Sequence, residues 1–403
     1  MAAALEHIRV LELSRVLAGP WAAQTLADLG AEVIKVEKPG VGDDTRSWAP
    51  PYARTSRGEQ SAETAYFLCA NRGKRSVTID FTHPEGQDLV RALASLSDVV
   101  IENFKVGSLA KYRLDYPSLK ALNPGLVYCS ITGFGQTGPK RHRPGYDFMI
   151  QGLGGLMSIT GERDGAPIKV GVAVADLFAG LYATVAIIAA LEHRRLSGAG
   201  QQIDIALFDA QVAMLANQAM NYLVTGVAPR RLGNAHPNIT PYQVFATSDG
   251  HIIVAVGNDR QYARLCEAVG SPELARDPRF ASNLLRVRHR EVLDHLLAAL
   301  FRTRPLSVWL DALERADVPC GPINTLAEVF ADPQAQARGL RLELPHPTLG
   351  SVPSVANPIK YSATPISYRS APPALGADTE AVLHTVLGIA PAEVARMRKA
   401  GII

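Results

Sequence analysis

The chain is short of the signatures that reveal chemistry at once. Its four cysteines, Cys69, Cys129, Cys266 and Cys320, lie far apart without a CxxC pair, which argues against a disulfide framework or thiol–metal motif and for a reducing compartment. Ten histidines are scattered with neither HxxH nor HExxH. His142, His236 and His346 stand in Pro- and Arg-rich stretches that read as surface loops, so no metal centre is expected. No serine sits in GxSxG, which removes the nucleophile elbow of hydrolases. "NRGKRS", residues 71–76, lacks the upstream glycine of a Walker A loop; its Arg72, Lys74 and Arg75 read as a solvated strand edge or as phosphate contacts. A net charge of +3 over 403 residues is too small and too dispersed to argue for nucleic acid, though it leaves room for an anionic small molecule. No leader pattern precedes the first strand-like run, and the uncharged stretch 177–191 is shorter than the roughly 20 residues a bilayer requires. A cytoplasmic protein without a membrane span is expected.

What is present is an ordinary globular composition, 47% hydrophobic and 20% charged, enough for a large core. In the first two hundred residues the β-rich runs "HIRVLEL", "AEVIKVE", "SVTIDF", "DVVIEN" and "GLVYCSIT" alternate with helical "GPWAAQTLADLG" and "PEGQDLVRALASL". Such alternation predicts an α/β fold whose large, Rossmann-like domain (1–224) has a parallel sheet covered on both faces. Near residue 225 the turn-rich "TGVAPRRLGNAHPNITPY" leads into "QVFATSDGHIIVAVG", where two strand-like runs flank Ser248, Asp249 and Gly250. That hairpin signal marks a smaller α+β domain, 225–330, with helical patterns over 259–316. A Pro-rich stretch and two closing helices, "DTEAVLHTVLG" and "PAEVARMRKAG", follow, and the segment 331–403 is expected to return to the large domain. There is no internal repeat and no low-complexity tract.

"GFGQTG", Gly133 to Gly138, matches GxGxxG literally, but "PKRHRPG" follows it and opens no helix. A pyrophosphate would lack the helix N-terminus that makes the fingerprint work, so a nicotinamide site is rejected and a close-approach, flexible loop is kept. Among the carboxylates, Asp147, Asp176, Asp204 and Asp209 lie in or beside apolar runs. Asp176 is followed by the uncharged, Ala-rich stretch 177–191, which reads as a buried helix ending in His193, Arg194, Arg195 and Gly198. An Asp at that helix start suits a cap, and Asp209 suits the same role ahead of "DAQVAMLANQAMNYL". Composition and spacing do not choose between them.

The stretches "LELSRVLAGPWAAQTLADLGAEVIKVEKPGVGDDTR" (11–46), "NRGKRSVTIDF" (71–81), "ENF" (102–104), "SITGFGQTGP" (130–139) and "VADLFAGLYATVAIIAALEHRRLSGAGQQIDIAL" (174–207) resemble the family III CoA-transferases. The resemblance runs nearly end to end and, through "PYQVF", "VPCGPIN", "HPTLG" and "AGII", is nearest to the succinyl-CoA:glutarate type. It implies CoA transfer from an acyl-CoA to a dicarboxylate, coenzyme A entering as substrate with no tightly bound cofactor and the chain folding as an interlocked homodimer. It also implies that the Asp of "ADLFAG", Asp176, is a covalent nucleophile, kept ionised by the helix N-terminus while apolar surroundings limit water. CoA contacts are implied near Lys38, Asn71, Lys74, Arg75, Asn103, Phe104 and Lys111, with Gly133 and Gly135 as close-approach backbone. Arg15, Arg46 and Arg143 are candidates for the distal carboxylate of the acid, and Tyr146, Gly233 and His236 complete the substrate side. The α-methylacyl-CoA racemases share this resemblance, but they carry a His directly before the Asp of "GYDF", where this chain has Tyr146. A phenol of pKa about 10 is a poor base at neutral pH, so transfer is the expected reaction.

Overall fold

Runs of Val, Ile and Leu build the central sheet of the chain, whose computed structural model describes residues 3–403. Eight strands precede the second half: β1 (Arg9–Glu12), β2 (Glu32–Glu37), β3 (Tyr52–Arg54), β4 (Gln60–Thr64), β5 (Lys74–Thr78), β6 (Val99–Glu102), β7 (Val127–Thr132) and β8 (Gln202–Ala206). Six of them form one sheet in the order β5-β2-β1-β6-β7-β8, every pair parallel. Counted by its own strands, this is the 3-2-1-4-5-6 order of a doubly wound sheet, which reverses between β1 and β6. β3 and β4 pair separately as an antiparallel ribbon.

The period-2 alternation of the strands splits the core in two. Val10, Val33, Val99, Ile101, Val127 and Ile131 face a layer made by the helices Ala18–Asp28 and Val174–Ser197. Leu11, Ile34, Val77, Val100 and Tyr128 face the helix Pro84–Ser95 and the closing helices Thr379–Leu387 and Pro391–Lys399, which contribute Val382, Leu383, Val394 and Met397. Two compact units result: one holds the residues up to Gly154, Gly171–Leu215 and Pro333–Ile403, the other Gly155–Val170 and Ala216–Asp332.

The second unit is built on a three-stranded antiparallel sheet, β11-β10-β9, of β9 (Tyr242–Ala246), β10 (His251–Ala255) and β11 (Cys320–Pro322). The hairpin turns at the Ser-Asp-Gly signal, and Phe245, Ile252, Val254, Phe280, Phe301 and Trp309 form the core. Two buried arginines brace the loop before β9: Arg286 donates to the Thr240 carbonyl at 2.9 Å and Arg290 to the His236 carbonyl at 2.7 Å.

Two helices differ from the sequence reading. The helix around the stretch 177–191 spans Val174–Ser197 and is not buried all round. Ala175, Ala179, Ala183, Ile187 and Ala190 are inside, whereas Phe178, Leu181, Tyr182, Val185 and Ile188 are exposed, Val185 by 66%. At 24 residues this helix is also long and apolar enough, by length and composition, to cross a bilayer, because the flanking Val174–Asp176 and Glu192–Ser197 extend it beyond the uncharged stretch. The expected single helix after Asp209 is two, Leu207–Ala213 and Ala216–Thr225, broken where Ala216 takes a left-handed backbone (φ 42°).

Candidate active site

Ligands of doubly wound sheets bind beyond the carboxyl ends of the strands, at the point where strand order reverses. Here that point lies between β1 and β6, and a cavity of about 170 Å³ opens there. The loop after β1 supplies Arg15, Val16 and Leu17, the loop after β6 Asn103 and Phe104, and the loop after β7 Gly133 and the segment Arg141–Tyr146. The two switch-point loops are tied together: Arg15 N–H donates to Asn103 Oδ1 at 3.0 Å, and Asn103 Nδ2 donates to the Arg15 carbonyl at 2.7 Å. Asp176 lines the same cavity.

Three packing features shape the cavity around Asp176. Gly180, one turn further along its helix, has no side chain to hold off its neighbour, and a Cβ would come 2.7 Å from the Ala18 carbonyl oxygen. The Asp176 helix therefore docks directly on the helix Ala18–Asp28, which starts at the cavity. The second feature is a crossing of two backbones, where a Cβ on Gly133 would lie 2.5 Å from Gly145 Cα; that contact brings Tyr146 into the cavity wall. The third is the cap. The helix opens at Val174 with Ala173 as N-cap and no cap bond from its own residues, so Asp176 lies in the first turn and is not the cap. Asp147, from the helix Asp147–Leu153, takes that role: its Oδ1 accepts the Ala175 N–H at 2.8 Å.

Asp176 itself accepts no hydrogen bond from any described residue, so the helix N-terminus does not hold it ionised as the sequence reading expects. Burial, followed by the negative charge of Asp147, pushes its carboxyl up to about 7. Tyr66, on the helix Ala65–Cys69, is pushed up to about 12 by burial and then by Asp176.

A second cavity of about 350 Å³ adjoins the first, shares Arg15, Asp44 and Phe104 with it, and extends past Lys38 to Phe81 and Thr82 beyond β5. Beneath both lies a buried charge network in which Glu12, Glu37 and Asp43 balance Lys35, Lys74 and Arg46. Lys35 Nζ contacts Glu12 at 3.1 Å, Asp43 at 2.9 Å and the Ser14 carbonyl at 2.8 Å. Burial opposes the Lys35 charge, but Glu12, Asp43 and Glu37 together raise its pKa. Burial likewise opposes the Asp43 charge, yet Lys35 and the Thr45 donors hold it at about 2. Asp43 also accepts the N–H of Val16 at 3.2 Å, at a residue whose φ of 71° is costly for a β-branched side chain. Strain in the cavity wall is thus held from below by a buried carboxylate.

The structure gathers some of the sequence candidates and disperses others. Arg15, Asn103, Phe104, Gly133, Arg143, Tyr146 and Asp176 share the first cavity, and Lys38 lines the second. Asn71 and Lys74 are fully buried and turned to each other, with Lys74 also on Glu12 and the Pro20 carbonyl. Arg72 is buried against Asp28, so this stretch is not a solvated edge. Arg75 pairs with Glu32. Arg46 is used up by Glu37, Glu63 and the Pro373 carbonyl, stacked 3.5 Å over the Phe67 ring. Lys111 stands outside both cavities, over Tyr112. Gly135 is left-handed (φ 81°) and, with Gln136 N–H on Asp204 at 2.9 Å, fixes the loop that the sequence reads as flexible. Gly233 and His236 belong to the second unit. The sequence reading missed Asp44, which pairs with Arg15 at 2.7 Å, and Arg141, whose Nε contacts His142 Nε2 at 3.0 Å in the cavity wall.

A doubly wound α/β protein with a ligand-sized cleft at its switch point, a carboxyl group in that cleft and cations around it is the class that fold and site define. Comparison with known proteins narrows it. The model of CoA-transferase family III matches residues 5–379, and the chain belongs to that family and is a CoA-transferase. It is 54% identical over 379 residues to the succinate–glutarate CoA-transferase of Agrobacterium fabrum, covering 94% of each chain. Identity to the succinyl-CoA:glutarate CoA-transferase of Mus musculus is 43%, over 99% of this chain and 90% of that one. Among solved structures, a CAIB/BAIF family protein from Brucella suis superposes with a TM-score of 0.85 at 52% identity, covering 96% of this chain and all of the other.

Proposed function

We propose that the protein moves CoA from succinyl-CoA to glutarate through a covalent intermediate on Asp176. The observation that carries the reading is a carboxyl without hydrogen-bond partners among the described residues, placed in the switch-point cavity of a CoA-transferase fold, in a chain similar to two transferases of that named activity. The Asp176 carboxylate attacks the thioester carbonyl and expels CoA thiolate, giving an aspartyl–succinyl anhydride. The thiolate attacks the aspartyl carbonyl, succinate leaves, and CoA is held as an aspartyl thioester. Glutarate then attacks that thioester, and the thiolate released returns to the glutaryl carbonyl, freeing glutaryl-CoA and Asp176. CoA enters as substrate. Lys38, Asn103 and Phe104 stand to receive it along the two adjoining cavities. Arg143 is the cation for the distal carboxylate of the acid, because its guanidinium has no carboxylate partner among the described residues, whereas Arg15 is paired with Asp44.

The bare face of the Asp176 helix, Phe178 to Ile188, supports a homodimer in which a second copy covers it. Four free thiols suit a cytoplasmic setting.

The test is one incubation in deuterated water with succinyl-CoA, a panel of short acids and a 2-methylacyl-CoA, followed by mass spectrometry of the CoA esters. Glutaryl-CoA without deuterium is expected, and Asp176→Ala abolishes it while CoA binding persists. Deuterium entering at the α-carbon with no new ester would overturn the reading and turn attention to His142, the imidazole in the cavity wall.

A further inference from the structure

Asp147 stands outside the attack itself, yet the constraints on Asp176 pass through it. We infer that Asp147 is a positioning residue for the transfer reaction, anchoring the turn that carries Asp176 and setting the charge of that carboxyl by its own; this rests on Asp176 being the nucleophile. Both Asp147 oxygens are committed. Oδ1 accepts the Ala175 N–H at 2.8 Å, and Oδ2 accepts Gln151 Nε2 at 2.7 Å, from a side chain that is fully buried. Asp176 is the next residue after Ala175 and accepts no hydrogen bond from the described residues, so its negative charge forms beside that of Asp147 without a compensating donor among them.

The other groups that face the site do not cancel this. Arg15 is paired with Asp44, and Arg141 faces His142. Arg143 stands over the Phe134 ring at 5.8 Å, and burial pushes the Tyr66 phenol up to about 12, so it brings no cation. The result is the upward shift of Asp176 to about 7, led by burial and reinforced by Asp147.

One chemical consequence favours the opening attack: a more basic carboxylate is the stronger nucleophile once ionised.

The experiment compares Asp147→Asn, Asp147→Ala and Asp176→Asn in the full-length protein, reading the pH dependence of kcat/KM for succinyl-CoA, the plateau kcat, and CoA binding by calorimetry. Asp147→Asn keeps an oxygen for the Ala175 N–H and removes the charge. Its acid limb, near pH 7 in the wild type, moves down by about one pH unit, and its plateau kcat falls by about three- to tenfold. Asp147→Ala loses the anchor and lowers kcat at every pH while still binding CoA. A wild-type limb in Asp147→Asn, or a wild-type kcat in Asp147→Ala, overturns the inference. Should Asp147→Ala fail to fold, the Asp147→Asn profile decides alone. Full transfer by Asp176→Asn instead overturns the nucleophile, so the two failures are told apart.

Discussion

Replacing Lys35 by Met removes the cation at the centre of the charge network under the two cavities. The side chain is 1% exposed and has three acceptors, so nothing in the interior replaces it. Glu12 keeps Lys74 at 2.8 Å and the Ser14 hydroxyl at 3.0 Å, and loses little. Asp43 keeps only N–H and hydroxyl donors, from Val16 and Thr45. Most of the cost therefore falls on one buried carboxylate left without a counter-charge, roughly 3–5 kcal/mol by analogy with other broken buried pairs. For a unit of this size that lowers Tm by about 10 °C. Circular-dichroism melts at several pH values measure it. In the wild type Asp43 is held at about 2, so its contribution is complete above the ordinary carboxylate range and fades as pH falls toward 2. In Lys35→Met the unpaired carboxyl takes up its proton at higher pH, so the deficit against wild type narrows on acidification. Adding Asp43→Asn restores part of the stability. A single variant melting within about 2 °C of wild type, or a double variant no better than the sum of its parts, would refute the reasoning.

Two further outcomes are expected. Arg143→Gln raises KM for glutarate by about tenfold or more, as the loss of one charge-assisted contact implies, while leaving the KM of monocarboxylate acceptors unchanged; an equal loss for both classes removes Arg143 from the distal subsite. On the proposed homodimer, Val185→Glu puts a charge in the middle of the bare helix face and yields monomer in analytical ultracentrifugation, whereas an unaltered sedimentation coefficient places any self-association elsewhere.

Much of the fold could be read from the chain because its central strands are apolar-rich. β1, β2, β6 and β7 are almost wholly buried, and their Val, Ile and Leu residues mark them as strands even where Glu12, Lys35 and Glu37 of the charge network interrupt them. β8, "QIDIA", sits at the sheet edge with only one of its five residues buried, and no such apolar run marks it. The sequence pointed to Asp176 only through the resemblance, since its local pattern gave Asp209 the same standing, and it showed nothing of what surrounds Asp176. The cap of that helix is Asp147, which bonds Ala175 across 28 residues of sequence, a pairing that no local pattern encodes. Lys74 looked like a CoA contact and Arg46 like a cation for the acid because nothing local shows that Glu12 on β1 and Glu37 on β2 claim them. The helix of Asp176 looked buried all round because apolar side chains read alike whether a sheet lies over them or nothing in the same chain does.

The crossing of Gly133 and Gly145 carries a practical lesson for anyone wishing to retarget the acceptor. Neither position tolerates a side chain while the other backbone lies against it, so the pair acts as a rivet through two loops, and a random library that includes either end would consist mostly of misfolded clones. The span between them that reaches the cavity, Arg141 to Pro144, is exposed and free of such a constraint. Diversity confined to those four positions would reshape the acceptor wall while the hardware that aims Asp176 stays untouched.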